Sequence, residues 1–92
     1  MADRWTFLTN HGRVMLALAG DPDIRLRDVA ERVGITERAA QMIVADLESG
    51  GYITKQRIGR RNHYVLNGEM QFRHPHESDH QVGELLAVFE AR

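Results

Sequence analysis

Three features of the 92-residue sequence predict an α+β fold with a helical core, a small antiparallel β-hairpin and a C-terminal helix. Two short amphipathic segments are joined by the corner Gly34-Ile35-Thr36. A Gly50-Gly51 break then leads into two runs of β-formers, Tyr52-Ile53-Thr54 and Asn62-His63-Tyr64-Val65-Leu66. Between those runs lies the basic tip Arg57-Ile58-Gly59-Arg60-Arg61. The resulting order is helix, sharp turn, helix, hairpin.

Each element has a local reason. Trp5-Thr6-Phe7-Leu8 precedes a first helix capped by Thr9 or Asn10. His11, Val14, Met15 and Leu18 stand at i, i+3, i+4, i+7 and form one stripe, which predicts a buried, hydrogen-bonded His11. Gly20-Asp21-Pro22 ends this helix. Ile24-Arg25-Leu26 is a candidate third small strand. A second helix over 26–33 carries the stripe Leu26, Val29, Ala30 and Val33. Gly34 occupies the position where a left-handed residue ends a helix at no Cβ cost, and Thr36 is a good N-cap for the next.

The third helix spans 37–49, with Ala40, Ile43, Val44 and Leu47 on one side. At about 100° per residue the opposite face holds Arg38, Met42, Ala45 and Ser49, with Gln41 at its edge and no acid among them. Glu37 falls in the first turn, where the helix dipole favours a carboxylate. Gly59 permits the hairpin turn. After Asn67-Gly68 the chain is irregular until Ser78-Asp79-His80-Gln81, which has the pattern of a capping box with Ser78 as cap. A last helix then places Val82, Leu85, Leu86 and Phe89 on one side.

Composition narrows the function. The length fits a single domain over 1–92. A chain this short buries a modest share of its surface, so its core must be efficient or shared with a partner. There is no cysteine, which removes disulfides, thiolate metal sites and thiol catalysis and suits a reducing cytoplasm. No apolar run has membrane-span length, and Met1-Ala2-Asp3-Arg4 lacks a signal-peptide pattern. The expectation is a cytoplasmic protein without a membrane partner. Lys55 is the single lysine among twelve basic residues. Arginine dominance suits phosphate recognition, although a GC-rich genome is the stronger cause of it.

Net charge is −1, but its distribution is uneven. Lys55, Arg57, Arg60 and Arg61 fall within seven residues that contain no acid, whereas Glu69, Glu77, Asp79, Glu84 and Glu90 outnumber Arg73 and Arg92 in the tail. Such a molecule orients its hairpin toward a polyanion and its tail away.

Val29, Ala30, Val33, Gly34, Ile35, Ala40 and Ile43 stand at helix-turn-helix spacing. With Leu47, Gly51-Tyr52-Ile53 and Arg60-Arg61-Asn62-His63-Tyr64, the chain resembles the MarR-type and ArsR-type winged helix-turn-helix transcription regulators over residues 9–67. The resemblance implies a DNA-binding unit at 9–67, an extension with an amphipathic helix at 68–92, and a double-stranded DNA partner. It puts the second helix of the motif in the major groove and the wing, over 55–63, on the backbone. Carried over, the base readers are Thr36, Arg38, Gln41 and Met42, and the wing contacts are Lys55, Arg57, Arg60, Arg61 and Asn62. Arginine pairs with guanine and glutamine with adenine in direct readout. Two-fold operators imply a homodimer, with the last helix, Trp5, Phe7 and Phe89 as candidate contacts. MarR-type proteins carry long flanking helices that build the dimer and a ligand pocket, and the flanks here are short. ArsR-type metal sensors often use cysteines, which this chain lacks.

Two alternatives use the same residues differently. One is a winged-helix protein-interaction module without DNA binding, which has no need of a cationic wing. The other is a metal-responsive regulator using His74, His76 and His80 with Glu77 and Asp79, although these follow no family spacing. No phosphate loop, nucleophile motif or carboxylate pair indicates an enzyme, and nothing in the sequence requires a cofactor.

Overall fold

Thr9 starts the first helix in the computed structural model, which describes residues 5–90. Met1-Ala2-Asp3-Arg4, which lacks a signal-peptide pattern, and the tail charge Arg92 lie outside those residues. The Thr9 side chain accepts a hydrogen bond from the Gly12 N–H at the head of α1 (Asn10–Gly20). α2 (Leu26–Val33) and α3 (Glu37–Ser49) follow with the predicted bounds. Gly34 between them has φ 85°, so the left-handed corner is present where the glycine allows it. Thr36 caps α3 by accepting from the Ala39 N–H at 3.0 Å.

β1 (Ile53–Ile58) and β2 (Arg61–Leu66) pair antiparallel, from Ile53 opposite Leu66 to Ile58 opposite Arg61. Both strands run longer than the β-rich runs alone suggest, because the cross-strand ladder continues through the polar residues 55–57 to Ile58 opposite Arg61. Gly59 (φ 63°) and Arg60 make the two-residue turn. A positive φ at the first of two loop residues matches the twist of the flanking strands. The candidate strand at residues 24–26 does not form. Pro22 contributes one carbonyl to the Tyr64 N–H at 2.9 Å, Ile24 goes into the core, and Leu26 already begins α2.

The core gathers Val14, Met15 and Leu18 of α1, Val29 and Ala30 of α2, Ala40, Ile43 and Val44 of α3, and Tyr52, Ile53 and Tyr64 beside the hairpin. Val14, Leu18, Val29 and Ile53 are fully buried, each worth about 1.5–3 kcal/mol relative to exposure. His11 is not part of this core. It is exposed, and its Nε2 lies 2.8 Å from Asp46 Oδ2 on α3, joining two helices at the surface.

α4 (Val82–Glu90) is attached by backbone pairing. The N–H groups of Phe72, Val82 and Gly83 donate to the carbonyls of His80, Met70 and Gly68. Half of the expected capping box forms, three residues beyond its expected place. Ser78 Oγ donates to the Pro75 carbonyl, while Glu84 reaches back to accept from the Gln81 N–H at 3.0 Å. Val82 is buried and Leu86 packs on the core, but Val88 is 70% exposed. Among the described residues no helix is long and apolar enough to cross a membrane.

Candidate nucleic-acid interface

The inner residues of α3 are held by the core, and that fixes what its other face presents. Because Ala40, Ile43 and Val44 are buried, Arg38, Gln41, Met42, Ala45 and Ser49 all turn to solvent. Thr36 stands exposed at the N-terminal end of the same helix, although its hydroxyl oxygen is committed to the cap. Asp46 and Glu48 leave this face and engage His11 and Lys55 instead. A protruding helix with polar, small and cationic side chains and no acid can lie against a polyanionic groove.

The wing cations are less free than their spacing suggested. Lys55 Nζ lies 4.0 Å from Glu48 Oε1, so the cluster has an acid beside it after all. Arg61 donates from its guanidinium to the Asp23 carbonyl at 2.7 Å, and His63 Nδ1 lies 2.7 Å from Asp23 Oδ1. Arg57 donates through Nε to the Gly59 carbonyl at 3.3 Å, within the turn. Arg60 sits exposed at the tip, and among the described residues it has no acidic partner. Asn62 is half-buried opposite Arg57. Of the wing candidates, Arg57 and Arg60 therefore keep the most freedom to meet a phosphate.

Asp23 and Glu48 are the residues that sequence reasoning missed. Asp23 anchors the start of β2 from a loop some forty positions earlier, and only the fold brings them together. Glu48 lies on the flank of α3, and its approach to Lys55 depends on how the hairpin folds back. These surface contacts are individually weak, in the range of about 0–1 kcal/mol, so they orient side chains more than they stabilise the domain.

The histidine segment does not converge. His76 and His74 both turn toward Glu77, at 3.1 and 3.8 Å, while His80 binds Glu84 at 2.7 Å with Asp79 at 3.9 Å. Among the described residues no group of three or more such side chains has metal-holding geometry. His80 titrates above its ordinary value, chiefly because it is hydrogen-bonded to the Glu84 carboxylate and secondarily through the negative charges of Glu84 and Asp79. Glu84 titrates below its ordinary value because the Gln81 N–H, and then His80, bind its charged form. Elsewhere, an open cleft of about 620 Å³ lies between α1, the end of α3 and α4, with Met15, Leu47 and Leu86 in its walls and His11, Asp46 and Arg73 beside them.

Comparison with known proteins agrees with this geometry. The fold is similar to that of the PcaV transcriptional regulator from Streptomyces coelicolor, with TM-score 0.61 and 29% identity, over 91% of this chain and 57% of that one. It is also similar to the Mycobacterium tuberculosis MarR family protein Rv2887, solved with salicylic acid, with TM-score 0.58 and 22% identity, over 91% of this chain and 56% of that one. T. potens IscR aligns over 96% of this chain and 91% of its own length, at TM-score 0.60 and 18% identity. The chain thus spans little more than half the length of the first two. No curated protein matches it in sequence. Residues 8–54, just over half of the chain, match the family described as winged helix-turn-helix DNA-binding, and they run from the head of α1 through α3 into β1. The chain belongs to the winged helix-turn-helix DNA-binding family.

Proposed function

We propose that this protein is a transcription regulator that binds duplex DNA sequence-specifically in the cytoplasm as a homodimer. α3 lies in the major groove, with Thr36, Arg38, Gln41 and Met42 toward the base edges. The wing follows the backbone, with Arg57 and Arg60 on phosphates and Lys55, Arg61 and Asn62 beside them. The observation that carries this reading is the exposed, acid-free face of α3, held outward because its opposite face is core. Phosphate contacts give such proteins their affinity and register, and base-edge contacts give them their choice of sequence.

The dimer reading rests on α4. Leu86 packs on the core, so the seam is better sought at Val88, with half-buried Leu85 and Phe89 on the same helix. Exposed Trp5 and Phe7, stacked edge to face at 5.4 Å between centroids, add apolar surface before α1.

Fluorescence-anisotropy titration with duplex DNA tests the binding reading. If Arg57, Arg60 and Arg61 neutralise about three phosphates per protomer, a dimer should show a log–log salt slope of about −5. A flat salt response would point instead to a protein-interaction surface.

A further inference from the structure

We propose that Met42 reads the C5-methyl group of thymine, an inference that rests on placing α3 in the major groove. Met42 is 63% exposed, and of the exposed large hydrophobic residues among those described it alone lies on α3. Exposure of one apolar side chain is ordinary, so its position must carry the argument. Met42 stands one turn from Arg38 and one turn from Ala45, with Gln41 beside it and Ser49 further along the same face. Small Ala45 and Ser49 leave room for the helix to approach a groove floor. The face carries exposed Arg38 with the wing cations nearby, and exposed Asp46, one turn beyond Met42 at its flank, is paired with His11, so the face complements a polyanion and opposes an apolar protein partner.

The chemistry of the groove then identifies what Met42 meets. Base edges in the major groove present hydrogen-bond donors and acceptors, which suit Arg38 and Gln41, and one apolar group, the thymine methyl. A flexible, polarisable thioether adapts to such a contact without exact geometry. The target half-site therefore contains a thymine adjacent to the bases met by Arg38 and Gln41, and the methyl itself contributes to its selection.

The test removes that methyl alone. Duplexes enriched from a random pool by the full-length wild-type protein are resynthesised with each half-site thymine replaced by uracil, which keeps the same base pairing. One or two of these replacements should weaken wild-type binding about three- to fivefold, the size expected for one buried methyl. Met42→Ala should bind the thymine and uracil duplexes equally, while Met42→Leu should keep part of the preference. An enriched site without thymine, a wild-type protein indifferent to uracil, or an equal uracil penalty in Met42→Ala would each overturn the inference while leaving DNA binding intact. Failure to enrich any duplex would overturn the proposed function, and this inference with it.

Discussion

α3 and α4 both carry an apolar face, and they use it differently. α3 commits Ala40, Ile43 and Val44 fully to the core and leaves Met42 in water on a face of polar and small side chains. α4 buries Val82 at its first turn, packs Leu86 partly, and leaves Val88 in water with Leu85 and Phe89 half-covered. A helix whose inner face is fully satisfied can offer its outer face to a polar, charged partner such as DNA. A helix whose apolar face is only half-satisfied gains most from an apolar partner, such as a second copy of itself. The contrast separates a reading element from an assembling one.

The largest effects should separate the helices by what they lose. Ile43→Ala removes a buried side chain from the inner face of α3 and should cost about 2–5 kcal/mol, read as a lowered thermal midpoint. Val88→Asp alters an exposed site and should leave the circular-dichroism spectrum unchanged, while light scattering shows a dimer reduced to monomer. Unfolding by Val88→Asp would make α4 core instead of seam. A wild-type monomer at high micromolar concentration would remove the assembling role of α4.

A smaller effect should come from the joint that holds α4. A Cβ on Gly83 would stand 2.8 Å from the Gly68 carbonyl oxygen, a backbone atom that cannot swing aside. Gly83→Ala should cost about 1–3 kcal/mol by overpacking and raise amide exchange in α4 more than in α3. Equal exchange in both helices would mean that α4 is not a separable element.

These two helices also differ in how far the sequence determines them locally. α2, the corner and α3 are legible because each boundary has its own residue: Gly34 supplies the positive φ and Thr36 supplies the cap. The Glu84–Gln81 cap was hidden because Ser78 and Gln81 both stand three positions before a possible partner, Gln81 and Glu84 respectively. Pairing of residues 68–72 with 80–83 decides between them, and that pairing joins segments with no periodic signal. The face of α3 was likewise legible from its 3.6-residue period. The partners of the wing cations were not, because Asp23 and Lys55–Glu48 meet only after the hairpin folds onto the helices. His11 misled because a stripe position at the end of a helix need not be covered by anything.

The smallest expected effect is a pH response confined to α4. His80 is raised, so its contribution is complete below its ordinary value of 6.5 and is lost as pH rises through the raised value. Glu84 is lowered, so its contribution is complete above its ordinary value of 4.5 and is lost as pH falls through the lowered one. The cap is therefore most intact between 4.5 and 6.5. Exchange protection factors at the start of α4 should peak in that window. Those at Ala39 should stay level, since the Thr36 cap carries no titrating group. A level profile at α4 would mean that the His80–Glu84 contact does not order it.

The division of labour between α3 and the wing is tested most directly by selection from random duplex DNA with wild type, Arg38→Ala, Gln41→Ala and Arg60→Ala. Loss of Arg38 or Gln41 should relax the enriched consensus at particular bases. Loss of Arg60 should weaken binding to all sequences about equally and leave the consensus as it was. A consensus unchanged in both helix variants, or rewritten by the wing variant, would contradict the assignment of α3 as the reading element.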